Sequence, residues 1–173
     1  MDLPPAIRDI VLHWGEMGSK WGISRTVAQI HALLYFSPSP LPADEITETL
    51  GIARSHVSNS LKELQSWGVV KNVHILGERR EHFESVKDVW KLFEALLDER
   101  KKREVDPTLA ALRSVETEMT SDPAICEETR KRWQDMLDFF ETMEKFHTQV
   151  RKMPLESRIK LVKLGSKLSG LLG

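Results

Sequence analysis

LGIARSHVSNSLKELQSWGVVKNVHILGERREHFES, residues 50–85, decides how the rest of the chain is read. Val57, Leu61 and Leu64 recur at intervals of four and three, which predicts a helix over residues 53–67 with one narrow buried stripe. Arg54, Ser55, Ser58, Asn59 and Lys62 lie away from that stripe, and His56 lies at its margin. Gly68 stops the helix, after which 69–76 reads as a strand, GERR (77–80) as a turn and HFESV (82–86) as the start of a return strand. Upstream, 43–50 reads as a short helix with Ile46 and Leu50 inward, ending at Gly51 in a left-handed C-cap. Helix, turn, helix and then a β-hairpin is the order of a winged helix-turn-helix. The expected fold class is therefore mostly α with a small β-hairpin wing, joined to a helical dimerisation region.

Outside this stretch helical spacing dominates. Residues 6–21 place Ile7, Ile10, Val11, Trp14, Met17 and Trp21 along one side, a stripe that needs cover. Ser24 is a plausible N-cap for a second helix carrying Val27, Ile30, His31, Leu34 and Tyr35, which ends at the proline-rich SPSPLP (37–42), read as a stop and spacer. After the wing, Val86, Val89, Trp90, Phe93, Leu96 and Leu97 mark an amphipathic helix with a charged end, ERKKRE (99–104), and Asp106–Pro107 reads as the start of a new helix. From 127 to 152, Trp133, Met136, Phe140, Met143, His147 and Val150 repeat at three, four, three, four and three, a heptad seam widened by Phe139 and Phe146. A second copy of the chain is its expected cover. The tail LESRIKLVKLGSKLSGLLG (155–173) is amphipathic, with Arg158, Lys160, Lys163 and Lys167, and is expected at a dimer interface rather than on a membrane surface. The domain expectation is an N-terminal dimerisation helix over 1–22, a winged domain over 23–104 and a helical dimerisation region over 105–173.

Composition narrows the function. The chain has 173 residues, 40% of them hydrophobic, enough for a genuine core. No apolar run approaches the roughly 20 residues a membrane-spanning helix needs, and MDLPPAIRDIVLHW lacks a basic segment followed by a long apolar one. The expectation is a soluble, cytoplasmic protein with no membrane insertion. The single cysteine, Cys126, has no intramolecular disulfide partner, and no CxxC or HExxH spacing suggests a metal. No nucleophile with an adjacent base, phosphate-cradling loop or carboxylate pair is legible, so neither catalytic residues nor a cofactor is expected. The net charge of −1 removes any whole-molecule attraction to nucleic acid. Over 53–80, however, Arg54, Lys62, Lys71, Arg79 and Arg80 oppose only Glu63 and Glu78.

A polar helix surface is most often simply solvated; its context here points to a groove. The major groove accepts an α-helix, where arginine bonds guanine edges and asparagine adenine edges, while serine and lysine hold phosphates. The candidate DNA-binding residues are Arg54, Ser55, His56, Ser58, Asn59 and Lys62 on the helix and Arg79 and Arg80 on the wing, with double-stranded DNA as partner. A winged helix that serves only as a protein-interaction module is the alternative. His31 and His147 fall on apolar faces, where a hydrogen-bonded core histidine is the common outcome, and the tryptophans sit in apolar stripes where packing is.

ADEITETLGIARSHVSNSLKELQSWGVVKNVHILGERREHFE, followed by DVWKLF and REVDPTLAALR, resembles the GbsR/MarR type of bacterial and archaeal transcriptional regulators over most of residues 22–113. The chain departs from that family at Ala53 and His56, where relatives often carry Ser and Asn. The resemblance implies a dimeric DNA-binding regulator that represses or activates genes, with dimerisation through terminal helices. In some members a small-molecule effector acts, choline among them. That makes Trp14, Trp21, Tyr35 and Trp90 candidate effector-binding rings, by cation–π attraction. Trp133, Met136, Phe140, Met143, His147 and Val150 are the candidate dimerisation residues.

Overall fold

In RTVAQIHALLYF every residue from Ile30 to Leu34 is buried, and a helix buried on so many sides must be packed from several directions. The computed structural model describes residues 3–168 and divides into two units, Met1–Leu96 and Leu97–Gly173. In the first unit this helix, α2 (Arg25–Phe36), is the hub. α1 (Pro5–Lys20), α3 (Ala43–Leu50) and α4 (Arg54–Ser66) pack on it, as does the strand β3 (His82–Ser85). The core joins Val11, Ile30, Leu33, Leu34, Ile46, Val57, Leu61, Leu64, Val69 and Phe83. The fold is mostly helical with a small antiparallel sheet, as the sequence pattern leads one to expect.

α1 meets α2 through a face that large apolar residues do not mark. Val11, Gly15 and Gly18 are its buried residues, whereas Ile10, Trp14 and Trp21 of the expected stripe are exposed. The cause is close approach. A Cβ on Gly18 would lie 2.5 Å from the Cβ of Ala28, and one on Gly15 would lie 2.6 Å from Gln29 Cγ. Packing as the role of Trp14 and Trp21 therefore does not hold within this unit.

The wing is larger by one strand than the expected hairpin. Leu41–Pro42, inside the segment read as a spacer, forms β1, and the sheet order is β1-β3-β2, with β2 spanning Val70–Val73. Leu41 pairs with Phe83 and Pro42 with His82, while Val70 pairs with Ser85 and Val73 with His82. A proline is tolerated because β1 is an edge strand and needs no donor on its open side. β2 ends at Val73, short of the expected Leu76.

Two polar groups tie the sheet and the start of the next helix to α2. His31 is buried, and its Nε2 lies 3.2 Å from Ser85 Oγ. Burial, and to a lesser degree the nearby Lys87 ammonium, lowers its pKa to about 4, so it is a neutral core histidine. Lys87 Nζ donates to the carbonyls of Leu34, Tyr35 and Ser37 at 2.7, 2.8 and 2.7 Å, satisfying the open C-terminal end of α2.

α5 (Val89–Arg100) contains the boundary between the units. Here Asp106–Pro107 does not restart the chain. The backbone stays helical through a π-helical stretch, Lys101–Val105, into α6 (Asp106–Ser114). A proline's ring collides with the carbonyl four residues before it, and the wider π turn removes that conflict. α7 (Glu116–Ser121), α8 (Glu127–Lys152) and α9 (Leu155–Leu168) complete the second unit. Its core is small: Leu109, Trp133 and Leu137, flanked by Leu112, Met119 and Phe140.

The heptad reading of α8 is corrected in register. Leu137, absent from the expected seam, is buried beside Trp133, while Met136 and Met143 are exposed together with Phe139 and Phe146. Helical geometry resolves the two rows. Trp133, Leu137 and Phe140 face α6, and His147 of the same side bonds Asp98 at 2.9 Å. Met136, Phe139, Met143 and Phe146 form a second row at intervals of three, four and three that nothing in the single chain covers among the described residues. Of the amphipathic tail, residues 169–173 lie outside the described residues.

Candidate nucleic-acid interface

Gly51 ends α3 in the left-handed conformation, φ 62° and ψ 32°, and so turns the chain sharply into α4. α4 buries Val57, Ser60, Leu61 and Leu64 against α2 and α3. That anchoring leaves Arg54, Ser55, His56, Ser58, Asn59 and Lys62 all exposed. At about 100° per residue, Ser55, Asn59 and Lys62 stand opposite the buried row, Ser58 beside them, with Arg54 and His56 on the two margins.

The structure brings part of this set to the wing. Arg54, Ser58 and Lys62, with Gln65, line one wall of a cleft of about 350 Å³; Asn72, Arg80 and Phe83 of the wing line another. Arg54 is not a free guanidinium: it is ion-paired with Asp44 in the first turn of α3. Asn72 Oδ1 is buried at the cleft without a hydrogen-bond partner. Asp44, Gln65 and Asn72 were not among the sequence candidates, because only the fold sets them beside α4.

Counting charge along the chain overstates the basic patch. Lys71 pairs with Glu84 at 3.1 Å and Arg80 with Glu78 at 3.4 Å, and Asp44 holds Arg54. Asp44 and Glu84 lie outside the segment over which the excess was counted. Lys62 and Arg79 are the cations of the set with no acidic partner among the described residues.

The four aromatic candidates do not form one assembly of stacked rings among the described residues. Tyr35 meets Phe36 edge-on at 5.2 Å and has Lys87 Nζ 6.0 Å from its ring centroid, an internal cation already in place. Trp14 and Trp21 are exposed, and Trp90 is half-buried at the start of α5.

No protein-family model matches the chain, and no curated protein matches it in sequence. Solved structures do match. One described as a transcriptional regulator superposes with a TM-score of 0.64 at 16% identity, covering 84% of this chain and 95% of its own. Transcriptional regulator Tm0710 from Thermotoga maritima matches with a TM-score of 0.39 at 15% identity, covering 86% of this chain and 94% of its own. A mutant of S. aureus MepR bound to an oligodeoxyribonucleotide matches with a TM-score of 0.39 at 15% identity, covering 97% and 91%. The first of these carries the likeness, which is one of fold: this chain has the fold of a winged-helix transcriptional regulator. No helix among the described residues is long and apolar enough to cross a membrane.

Proposed function

We propose that the protein is a sequence-specific, double-stranded-DNA-binding transcriptional regulator of the GbsR/MarR type, acting as a homodimeric repressor rather than an enzyme. The observation that carries this reading is α4: four side chains anchor it, and six polar or basic ones stand exposed on its outer side beside a wing. Ser55, Asn59 and Lys62 take the centre of the major groove in this reading. Arg54 exchanges Asp44 for a base edge or phosphate, with Ser58 and His56 at the margins, and Arg79 and Arg80 serve the wing contact. Residues 23–104 bind DNA, while 1–22 and 105–173 supply dimer contacts.

Dimerisation is supported by the exposed Ile10 and Trp14 on α1 with Trp21 just past its end, and by the uncovered row of Met136, Phe139, Met143 and Phe146 on α8. A two-fold axis then presents two α4 helices to half-sites about one helical turn, ~34 Å, apart. An effector is part of the reading through the family resemblance, with Trp14, Trp21, Tyr35 and Trp90 as the rings to test.

The test is binding to duplex DNA selected from random sequence, measured across salt concentrations. Affinity should fall steeply with salt, by a log–log slope of about 0.9 for each phosphate neutralised. Asn59→Ala should lose about 1–3 kcal/mol of discrimination between selected and scrambled duplexes. Absence of salt-dependent duplex binding would replace this reading with a protein-interaction module.

A further inference from the structure

α4 opens with a residue that helix electrostatics disfavours. Arg54 is its first helical residue, the Ala53 cap has no side-chain hydrogen bond to offer, and the first turn holds no acidic residue. A cation there faces the positive end of the helix dipole. Its compensation comes from another helix: Nη1 of Arg54 donates to Oδ1 of Asp44, in the first turn of α3. The backbone is anchored on both sides of this contact. Asp44 lies between Pro42, paired with His82 in the sheet, and the fully buried Ile46, while the fully buried Val57 follows Arg54 by three residues.

As a structural tie the pair contributes little. The two side chains are 72% and 45% exposed, and an ion pair so open to water adds little to stability. What the pair does change is the standing of Arg54. Both residues line the cleft between α4 and the wing, and Lys62, on the same wall, has no acidic partner among the described residues. α4 therefore carries two cations of different kinds: Lys62, open to any phosphate, and Arg54, already neutralised. Their pairing is a single hydrogen bond, so the guanidinium is held without being enclosed.

We propose that Asp44 determines specificity: it withholds Arg54 from phosphates and commits it to a guanine edge. This rests on the DNA-binding reading above and decides between the two partners left open there for Arg54. A phosphate neutralises the guanidinium itself, so Asp44 is then left as an unpaired anion beside a polyanion. A guanine edge is neutral. The guanidinium that bonds its O6 and N7 keeps its charge and still offsets the neighbouring Asp44. Repulsion between close like charges therefore raises the energy of the phosphate-bound arrangement and not of the guanine-bound one. Asp44 lowers affinity for duplexes without guanine at that place and spares those that present it, acting as a positioning residue through Arg54.

The experiment uses the full chain to select duplexes from random DNA, then repeats base preference and salt titration in variants. Arg54→Ala should relax a guanine preference at one base pair, by roughly 5–150-fold. Asp44→Asn, which keeps shape and removes charge, should weaken the same preference by about 5-fold or more. It should also bind a scrambled duplex more tightly than the parent does, with a log–log salt slope larger by about 0.9, one added phosphate. That gain should be absent from the Asp44→Asn, Arg54→Ala double variant, because Arg54 makes the added contact, and Asp44→Glu should keep the parental preference. The assignment is overturned if Asp44→Asn weakens binding to all duplexes alike, leaves the guanine preference unchanged, or shows a gain that persists without Arg54. It is also overturned if Arg54→Ala relaxes no position. In each of these cases the parent still selects a duplex and the DNA-binding reading stands. If the parent selects no duplex at all, that reading falls and the role of Asp44 falls with it.

Discussion

The two units face the same requirement, removal of apolar surface from water, and meet it differently. Residues 1–96 close a core from three helices around α2 and a sheet, with Ile30 and Ile46 at 0% exposure. Among the described residues of 97–173 only Leu109, Trp133 and Leu137 are buried, while Met136, Phe139, Met143, Phe146, Leu161, Val162 and Leu164 stay exposed. Net stability is a small difference between burial and chain entropy, so a unit that buries so little on its own contributes little to stability alone. The first unit closes its own core, whereas the second leaves apolar rows exposed among the described residues.

The sharpest way to break this contrast is a pair of cavities. Ile30→Ala should cost about 3–5 kcal/mol in urea unfolding, as expected for a rigid site that cannot collapse. Leu109→Ala, in a small cluster with open neighbours, should cost clearly less. Equal losses would mean that the second unit is as tightly packed as the first.

The next effect is a dependence on pH confined to the first unit. His31 has a folded pKa of about 4 against 6.5 when unfolded, so the unfolded chain takes up the proton first as pH falls. Stability should be full above pH 6.5 and decline toward pH 4, by on the order of 3 kcal/mol in all. In His31→Leu this component should vanish from the pH profile of thermal unfolding; an unchanged slope would show that another group carries it.

A smaller test addresses the α1–α2 contact. Gly18→Ala should destabilise by about 1–3 kcal/mol through overpacking on Ala28, even though alanine is the better helix former. Adding Ala28→Gly should recover part of that loss. Failure of the second change to help would indicate that α1 shifts freely.

The smallest effect on the isolated chain belongs to the outer row of α8. Phe139 is 59% exposed, so Phe139→Glu should change unfolding of dilute protein by less than about 0.5 kcal/mol. Sedimentation should nevertheless show loss of self-association. A variant that still sediments as a dimer would remove this row from the interface.

What the sequence revealed and concealed follows from the range of the forces involved. α3, Gly51, α4, Gly68 and α8 were legible because apolar period, helix stops and left-handed glycines are local signals. The glycine face of α1 was not, since a small residue marks a contact only when its neighbour, Ala28, is known. Lys87 reaches carbonyls some 50 residues away and has no local signature. β1 was hidden by the three prolines of SPSPLP, which usually signal a loop. On the candidate site, the six exposed residues of α4 were legible from its period, but Asp44, which offsets Arg54, and Glu84, which offsets Lys71 of β2, came only with the fold.

The π stretch at Lys101–Val105 also fixes a phase. A π turn holds about one residue more than an α turn, and one residue is worth about 100° of rotation about the helix axis. Asp98, before the stretch, reaches His147 and Arg151 of α8 while Leu109, after it, packs on Trp133 and Leu137 of the same helix, with that extra residue counted in. Deleting a single residue between 101 and 105 and letting the segment close to ordinary α geometry would turn Asp98 about a quarter-turn relative to α6, away from His147 and Arg151 of α8. In this stretch the number of residues matters more than their identity, so a shortened chain of unchanged character is the more damaging alteration.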